Sequence, residues 1–364
     1  MSHLAVLIPS LAGGGAEKVM INLARGLLQS GFSVDLIVAT KSGPLENRIP
    51  PELNLIDLHA GRMATAIPGL IRYLSATRPD VLISAIDQAN VAALIAGAIS
   101  MGSTRIAVSV RTSLSHSSRH GTVRQRMILT VARVLYRRAD WILAVSLGVA
   151  RELTTFLGQD EGRIRVLDNP ALEPELSEMC FEASGHPWLT TSAPPVLLGV
   201  GRMTPAKNFT TLIHAFAHVR AVQPARLIIL GDGECRPELE RLVARLDLGE
   251  DVDMPGFVTN PYAFMSRASV FVLSSDWEGF GNALVEAMAC GARIVSTDCD
   301  YGPREILDHG RLGRLVSPGD SVALADAILL TLREPAKPDV SAVVERFTIQ
   351  NAVSNYIRVL DLKA

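Results

Sequence analysis

The stretch Ser274-Ser275-Asp276-Trp277-Glu278-Gly279-Phe280-Gly281-Asn282-Ala283-Leu284-Val285-Glu286-Ala287-Met288-Ala289-Cys290-Gly291 decides how this 364-residue chain is read. An apolar, β-branched run, Val270 to Leu273, precedes it and reads as a strand buried in a parallel sheet. Beyond Gly281, the residues Leu284, Val285, Met288 and Ala289 recur at helical spacing, and Gly291 supplies a stop. The unit is strand, glycine-rich turn, helix. Glu278 lies in the turn and Glu286 about one turn into the helix. Main-chain N–H groups of such a turn, with the positive end of the helix, suit an anion. Carboxylates accept hydrogen bonds without donating any, which suits hydroxyl groups. Together these groups describe a binding place for a phosphorylated sugar.

Around this unit the chain alternates strand and helix signals. Leu4–Pro9, Val34–Ala39, Leu53–Leu58, Val81–Ser84, Ile106–Val110, Trp141–Val145 and Arg163–Leu167 read as strands separated by helical patterns. A second series follows with Val196–Val200, Leu227–Leu230, Val270–Leu273 and Ile294–Ser296. Such alternation predicts an α/β chain with two doubly wound parallel sheets. The expected domains are residues 1–170, a Pro-rich irregular linker 171–194, residues 195–345, and a terminal helix within 346–364. Ligands of such sheets sit beyond the carboxyl ends of the strands. That rule nominates Asp87 and Asn90 after the fourth strand and Arg111 to His116 after the fifth. It also nominates Arg202 and Lys207, a pair of cations suited to a diphosphate, after Val200.

Composition narrows the classes. With 48% hydrophobic and 20% charged residues, the chain is an ordinary globular one rather than a disordered one. Residues 1–168 hold 18 Lys+Arg against 12 Asp+Glu, and residues 169–364 hold 17 against 25, so the first half invites an anionic partner. Cys180, Cys235, Cys290 and Cys299 form neither a CxxC pair nor a metal pattern, which fits a reducing cytosol. Met1 to Pro9 reads as a strand rather than a signal peptide, and the apolar run Val91 to Met101 is too short to span a bilayer. A cytoplasmic protein is therefore expected, peripheral on the inner membrane face under the first of two readings of residues 119–138. Residues 119–138 carry six arginines and no acid, with Val123, Met127, Val131, Val134 and Leu135 on one helical stripe. Two readings fit equally: a helix resting on anionic lipid, or a surface helix with a basic outer face. Nucleic acid is not expected, since Tyr136 is the one stacking aromatic nearby.

The first glycine loop, Ser10-Leu11-Ala12-Gly13-Gly14-Gly15-Ala16-Glu17-Lys18, follows a strand but lacks the third glycine of a dinucleotide fingerprint and any Gly-Lys-Ser/Thr. Asp298-Cys299-Asp300 looks like a metal-binding DxD but follows a strand of a sheet already explained, and reads as a loop.

Glu278, seven residues, then Glu286, set inside W-E-G-F-G-N-x-L-V-E-A-M-A-C-G, resembles the E-x7-E signature of retaining GT-B glycosyltransferases of family 4. The run V-G-R-x-x-x-x-K-N-F around Arg202 and Lys207 resembles the diphosphate-binding loop of that family. Tyr301-Gly302-Pro303-Arg304-Glu305-Ile306 is similar to its polysaccharide- and glycan-assembly subgroup, and Asp168-Asn169-Pro170 to the end of its first domain. The resemblance implies two Rossmann-like domains facing across a cleft and metal-independent transfer, with retained configuration, from a nucleoside-diphosphate sugar. UDP is the implied nucleotide. Glu286 would hold the ribose and Glu278 the sugar. Arg202, Lys207 and the amides of Gly279, Phe280, Gly281 and Asn282 would hold the diphosphate, beside Leu284. Phe257 and Val258 would meet the base through their main chain, and Gly14 and Gly15 would face the donor. Many relatives carry a catalytic His after the fifth strand. Here Arg111 stands at the matching place and His116 five residues further on, so His116 is kept as a candidate catalytic residue and Arg111 as an acceptor-side one. The implied acceptor is a polyprenyl-diphosphate-linked glycan. A soluble small-molecule acceptor, or a non-catalytic sugar-nucleotide-binding role, stands as the alternative.

Overall fold

A computed structural model of the chain describes residues 2–100, 102–115, 122–158, 161–189, 194–334 and 337–363. It divides into two compact units, Met1–Ala171 with Phe347–Ala364, and Leu172–Arg346.

In the first unit, β1 (His3–Ser10), β2 (Ser33–Thr40), β3 (Asn54–Asp57), β4 (Val81–Ala85), β5 (Arg105–Val110), β6 (Trp141–Ala144) and β7 (Ile164–Val166) form one sheet. Their order is β3-β2-β1-β4-β5-β6-β7, and every pair is parallel. The helices α1 (Gly15–Gln29), α2 (Met63–Thr77), α3 (Asp87–Ser100), α4 (Val123–Leu135) and α5 (Leu147–Leu157) make the crossovers. Because both faces are covered, Leu4 through Ile8 are all fully buried. The sheet tolerates one interior acid because its oxygens are taken. Asp35 of β2 accepts from Tyr73 Oη at 2.5 Å and from Asn54 Nδ2 at 2.8 Å, and lies 3.0 Å from His3 Nε2.

The second unit repeats the plan with β8 (Val196–Val200), β9 (Arg226–Leu230), β10 (Val252–Gly256), β11 (Val270–Leu273), β12 (Ile294–Thr297) and β13 (Arg314–Val316), ordered β10-β9-β8-β11-β12-β13. Both sheets are thus Rossmann-like, and both reverse winding direction at the strand pair in the middle of the order. β10 and β13 were not expected from the sequence. Pro255 interrupts the register of β10 against β9 at the sheet edge, and β13 has three residues, all half-buried.

The segment after Ala171, expected as an irregular linker, carries the helix α6 (Leu176–Phe181). Asn260 Nδ2 donates to Met179 O at 2.9 Å and Ser266 Oγ to Cys180 O at 3.0 Å, so this segment is docked on the second unit.

The C-terminal helix Ile349–Val359 belongs to the first unit, where Ile349, Val353, Tyr356 and Leu360 complete the core beneath α1. Gly26 of α1 makes this contact possible: a Cβ there would fall 2.5 Å from Ile349 Cγ2 and 2.6 Å from Val353 Cγ2. Replacing glycine by alanine inside a helix ordinarily stabilises by about 0.8–1 kcal/mol. At Gly26 overpacking, typically about 1–3 kcal/mol, should reverse the sign. A thermal melt of Gly26→Ala is expected below the parent, with Gly26→Ala/Val353→Ala regaining part of the loss.

Candidate active site

The strand-end loops of the second unit are laced together at its switch point, between β8 and β11. Ser274 Oγ donates to Lys207 O at 2.9 Å, and the Asp276 amide donates to Ala206 O at 2.9 Å. Asn208 joins the same two loops. Its Nδ2 donates to Asp276 Oδ1 at 2.7 Å, while its Oδ1 accepts from the Thr211 amide at 3.1 Å and caps the helix α7 (Phe209–Val222). Asn208 sits at φ 42, a left-handed conformation that asparagine tolerates better than most residues. Loops after β9 and β12 press in from either side. A Cβ on Gly231 would lie 2.1 Å from Gly201 O, and one on Gly302 1.7 Å from Phe280 O, so backbone passes backbone where a side chain cannot fit.

These loops bring Lys207 and Glu278 into direct contact as an ion pair through Lys207 Nζ and Glu278 Oε1. Ser275 Oγ also donates to Glu278 Oε1, at 2.7 Å, and the Glu278 amide donates to Asp300 O at 3.3 Å. Both partners are largely covered, with side-chain exposures of 22% for Lys207 and 10% for Glu278. Burial makes such a pair sensitive to the loss of either member. Arg202, on the same loop as Lys207, is exposed, and no ion pair involves it among the described residues.

Beyond the helices α8 (Arg236–Arg245) and α9 (Tyr262–Met265), Gly281, at φ 105, opens the helix α10 (Asn282–Ala289) without a capping side chain. Phe280 and Leu284 are buried, and Gly279 and Asn282 are half-buried at the turn. Glu286 is 7% exposed on α10, and the hydroxyl of Tyr262 is shared between Glu173 Oε1 at 3.1 Å and Glu286 Oε1 at 3.5 Å. At the end of β10, Phe257 is exposed and Val258 half-buried. Asp298-Cys299-Asp300 is a loop: Asp298 Oδ1 accepts from Arg304 Nε at 3.0 Å, and Cys299 is buried. Among the described residues, no group of three or more His, Cys, Asp or Glu is placed to hold a metal ion.

In the first unit, Gly14 precedes α1 and is buried, while Gly15 is exposed. Asp87 follows Ile86, which sits at φ 76, a costly conformation for a β-branched residue. Tyr136 Oη donates to Asp87 Oδ1 at 3.0 Å. Asn90 and Arg111, expected on the acceptor side, are turned into the fold. Asn90 Oδ1 accepts from Ser84 Oγ at 2.8 Å, and its Nδ2 donates to Ser109 O at 3.0 Å and Tyr136 Oη at 3.1 Å. The guanidinium of Arg111 donates to Asn169 Oδ1 at 2.8 Å and to Tyr356 Oη at 3.3 Å, tying the C-terminal helix to the sheet. Burial lowers the Arg111 pKa, with Tyr356 and Glu17 opposing that shift. His116 and residues 117–121 lie outside the described residues. Sequence reasoning gave no site role to Ser275, Asn208, Tyr262 or Tyr136, nor to Glu152, whose Oε2 accepts from the Leu114 amide at 3.0 Å. Of these, Asn208 alone carried a local signal, an asparagine placed directly before a helical pattern.

The helix α4 exposes the stripe marked in the sequence. Val123 is 74% exposed, Met127 65%, Val131 43% and Val134 64%, while Leu129 and Ala132 face inward. Among the described residues, no helix is long and apolar enough to cross a membrane.

Residues 194–334 match the family model described as "Glycosyl transferases group 1", and residues 13–171 match "Glycosyltransferase Family 4". The chain belongs to the family 4 type of GT-B glycosyltransferases. This glycosyltransferase is 29% identical over 332 residues to the N-acetylgalactosamine-N,N'-diacetylbacillosaminyl-diphospho-undecaprenol 4-alpha-N-acetylgalactosaminyltransferase of Campylobacter jejuni, covering 87% of this chain and 86% of that one. It is 35% identical over 141 residues to the lipopolysaccharide core biosynthesis glycosyltransferase LpsD of Rhizobium meliloti, covering 39% and 40% of the two chains. The crystal structure of Anabaena HepE in complex with UDP and glucose superposes with a TM-score of 0.80 at 21% identity, covering 99% of this chain and all of that one. At that identity the likeness speaks for the GT-B fold alone.

Burial, opposed by the Tyr136 hydrogen bond and seconded by the charge of Glu152, raises the Asp87 carboxyl to about 6. The folded state therefore favours the neutral form. That contribution is complete below about pH 4, the ordinary carboxyl range, and is lost as pH rises through about 6. Asp87→Asn keeps an acceptor oxygen for Tyr136 and removes the charge. It should stabilise the glycosyltransferase by roughly 1–3 kcal/mol near pH 8 and by little near pH 4, measured by denaturant titration at both.

Proposed function

We propose that this glycosyltransferase moves a sugar from a nucleoside-diphosphate donor, with UDP as the nucleotide, onto a lipid-linked glycan in surface polysaccharide assembly, with retention of anomeric configuration and without a metal. The observation that carries this reading is the contact between Lys207 and Glu278 at the switch point of the second sheet. A cation meant for phosphate and a carboxylate meant for sugar hydroxyls hold one another there. A bound donor offers each a better partner: its diphosphate takes Lys207 and its hydroxyls take Glu278.

In this reading Arg202 and Lys207, with the amides of Gly279 to Asn282, stabilise charge as it grows on the leaving diphosphate. Glu286 holds the ribose, and the main chain at Phe257 and Val258 meets the base. Gly14 and Gly15 serve the donor from the first unit, where Asp87 receives an acceptor hydroxyl. The departing phosphate helps to deprotonate the acceptor, so no protein nucleophile takes part. The two cations supply the charge compensation that a metal would supply elsewhere. The lipid-linked acceptor is supported by the undecaprenol-linked substrate named for the Campylobacter relative.

The exposed face of α4 is the part of this protein suited to meet that lipid. Apolar Val123, Met127, Val131 and Val134 are flanked by exposed Arg124, Arg126 and Arg133, and no acid lies in the helix. Apolar side chains enter the headgroup boundary while each arginine near an anionic surface contributes on the order of 1 kcal/mol.

Two measurements test the proposal. In a thermal-shift panel, saturating UDP-sugar should raise the melting midpoint by roughly 5–10 °C, the consequence of about 2.7 kcal/mol of linkage at one hundred times Kd. Glu286→Ala should abolish the shift, and Arg202→Ala should lower kcat by roughly 10²–10³-fold. Failure of every nucleoside-diphosphate sugar to move the midpoint would remove the donor reading. Separately, the protein should float with vesicles containing anionic lipid, and both Val123→Asp/Met127→Asp and Arg124→Glu/Arg126→Glu should lose flotation. Arg137 is left unchanged, since its guanidinium donates to Leu157 O at 2.6 Å inside the fold. Flotation unaltered in both variants would discard the membrane contact.

A further inference from the structure

Two thiols of the second unit meet at a place that no step above uses. Cys180, in α6, and Cys290, the residue that ends α10, lie with their sulfur atoms 3.3 Å apart. Both residues are half-buried, so small oxidants reach them while the backbone holds them still. Cys180 is held tightly: its carbonyl accepts from Ser266 Oγ at 3.0 Å and from Arg267 Nη1 at 3.0 Å, and Arg267 Nη2 donates to Phe181 O at 3.2 Å. On the other side, the Cys290 amide donates to Glu286 O at 3.0 Å, closing the last turn of the helix that carries Glu286. The remaining cysteines are poor competitors. Burial pushes the thiols of Cys235 and Cys299 upward, away from the reactive thiolate, and neighbouring acids add to the effect.

We propose that Cys180 and Cys290 are a redox couple that closes to a disulfide under peroxide and thereby regulates the donor site on α10. In the first step one thiolate attacks hydrogen peroxide, the O–O bond breaks, and a sulfenic acid forms with release of hydroxide. In the second step the partner thiolate attacks the sulfenyl sulfur, the S–O bond breaks, and a second hydroxide leaves. The two thiol protons convert both hydroxides to water, so two thiols and one peroxide yield one disulfide and two waters. A dithiol reductant reverses the change. Closing from 3.3 Å to a covalent bond of about 2.05 Å draws the end of α10 toward α6. Glu286 lies one turn upstream of Cys290, so its carboxylate moves with that turn. The regulatory half of this inference rests on the donor reading given above. The existence of the couple does not.

The experiment treats the full chain with hydrogen peroxide, blocks remaining thiols, and maps crosslinked tryptic peptides by mass spectrometry. A peptide joining Cys180 to Cys290, lost on dithiothreitol and absent from both Cys180→Ser and Cys290→Ser, is the expected result. Crosslinks to Cys235 or Cys299, or only sulfinic acid at the two sites, would overturn the couple. Donor thermal shifts are then read on reduced and oxidised protein. The oxidised parent is expected to lose most of the UDP-sugar shift, while oxidised Cys180→Ser keeps it. An equal shift in oxidised and reduced parent would overturn the regulation while leaving the crosslink in place. Absence of any shift in reduced protein would instead count against the donor reading, because the mass-spectrometric result is independent of it.

Discussion

A strand covered on both faces has room for a charge along its length only where partners take its oxygens, as they do for Asp35. In the second unit that constraint empties β8, β9 and β11 of acids: Val196–Val200, Arg226–Leu230 and Val270–Leu273 hold one charged residue among them, at the outer end of β9. Chemistry is forced to the ends of the strands, where the chain first meets water. The parallel arrangement sends every such end to the same edge, and the reversal of winding at β8 and β11 separates the flanking helices there. Lys207 and Glu278 meet because the loops that leave β8 and β11 carry them to that shared edge. Glycine completes the arrangement. Gly231 and Gly302 allow neighbouring loops to approach more closely than any side chain would permit, which fixes where the edge groups point.

The same constraint explains why the second unit of the glycosyltransferase was so legible in its sequence. Its central strands are apolar runs, its turns are glycine-rich, and Arg202, Lys207 and Glu278 all lie in the loops that directly follow those strands. Local pattern and tertiary position coincide. The short edge strands escaped because their signal is short or broken by Pro255, not because the principle failed.

The first unit was legible as a fold but less so as a site. Asn90 and Arg111 stand where ligands of such sheets gather, yet their partners arrive from far along the chain. Tyr136 lies 46 residues from Asn90, and Tyr356 lies 245 residues from Arg111. No periodicity announces a hydroxyl brought in from such a distance. It converts a polar residue at a strand end from a possible ligand into an internal strut. Asp87 shows the opposite outcome: it also meets Tyr136, yet it remains half-buried and keeps a carboxyl whose charged form the fold disfavours. The α4 stripe was ambiguous for a different reason. An apolar helical face looks the same in sequence whether it packs inward or stands exposed, and only the structure leaves Val123, Met127 and Val134 exposed.

The return of the C-terminal helix to the first unit bears on the order in which the chain acquires structure. Residues 172–346 have left the ribosome before Ile349, Val353, Tyr356 and Leu360 can reach their places beneath α1. The later-starting unit is therefore the earlier one to be complete, and the amino-terminal sheet must wait, partly uncovered, until residues 349–360 have been made. Until Ile349 and Val353 arrive, α1 lacks its cover at Gly26, which makes that interval the one in which a chaperone has most to shield.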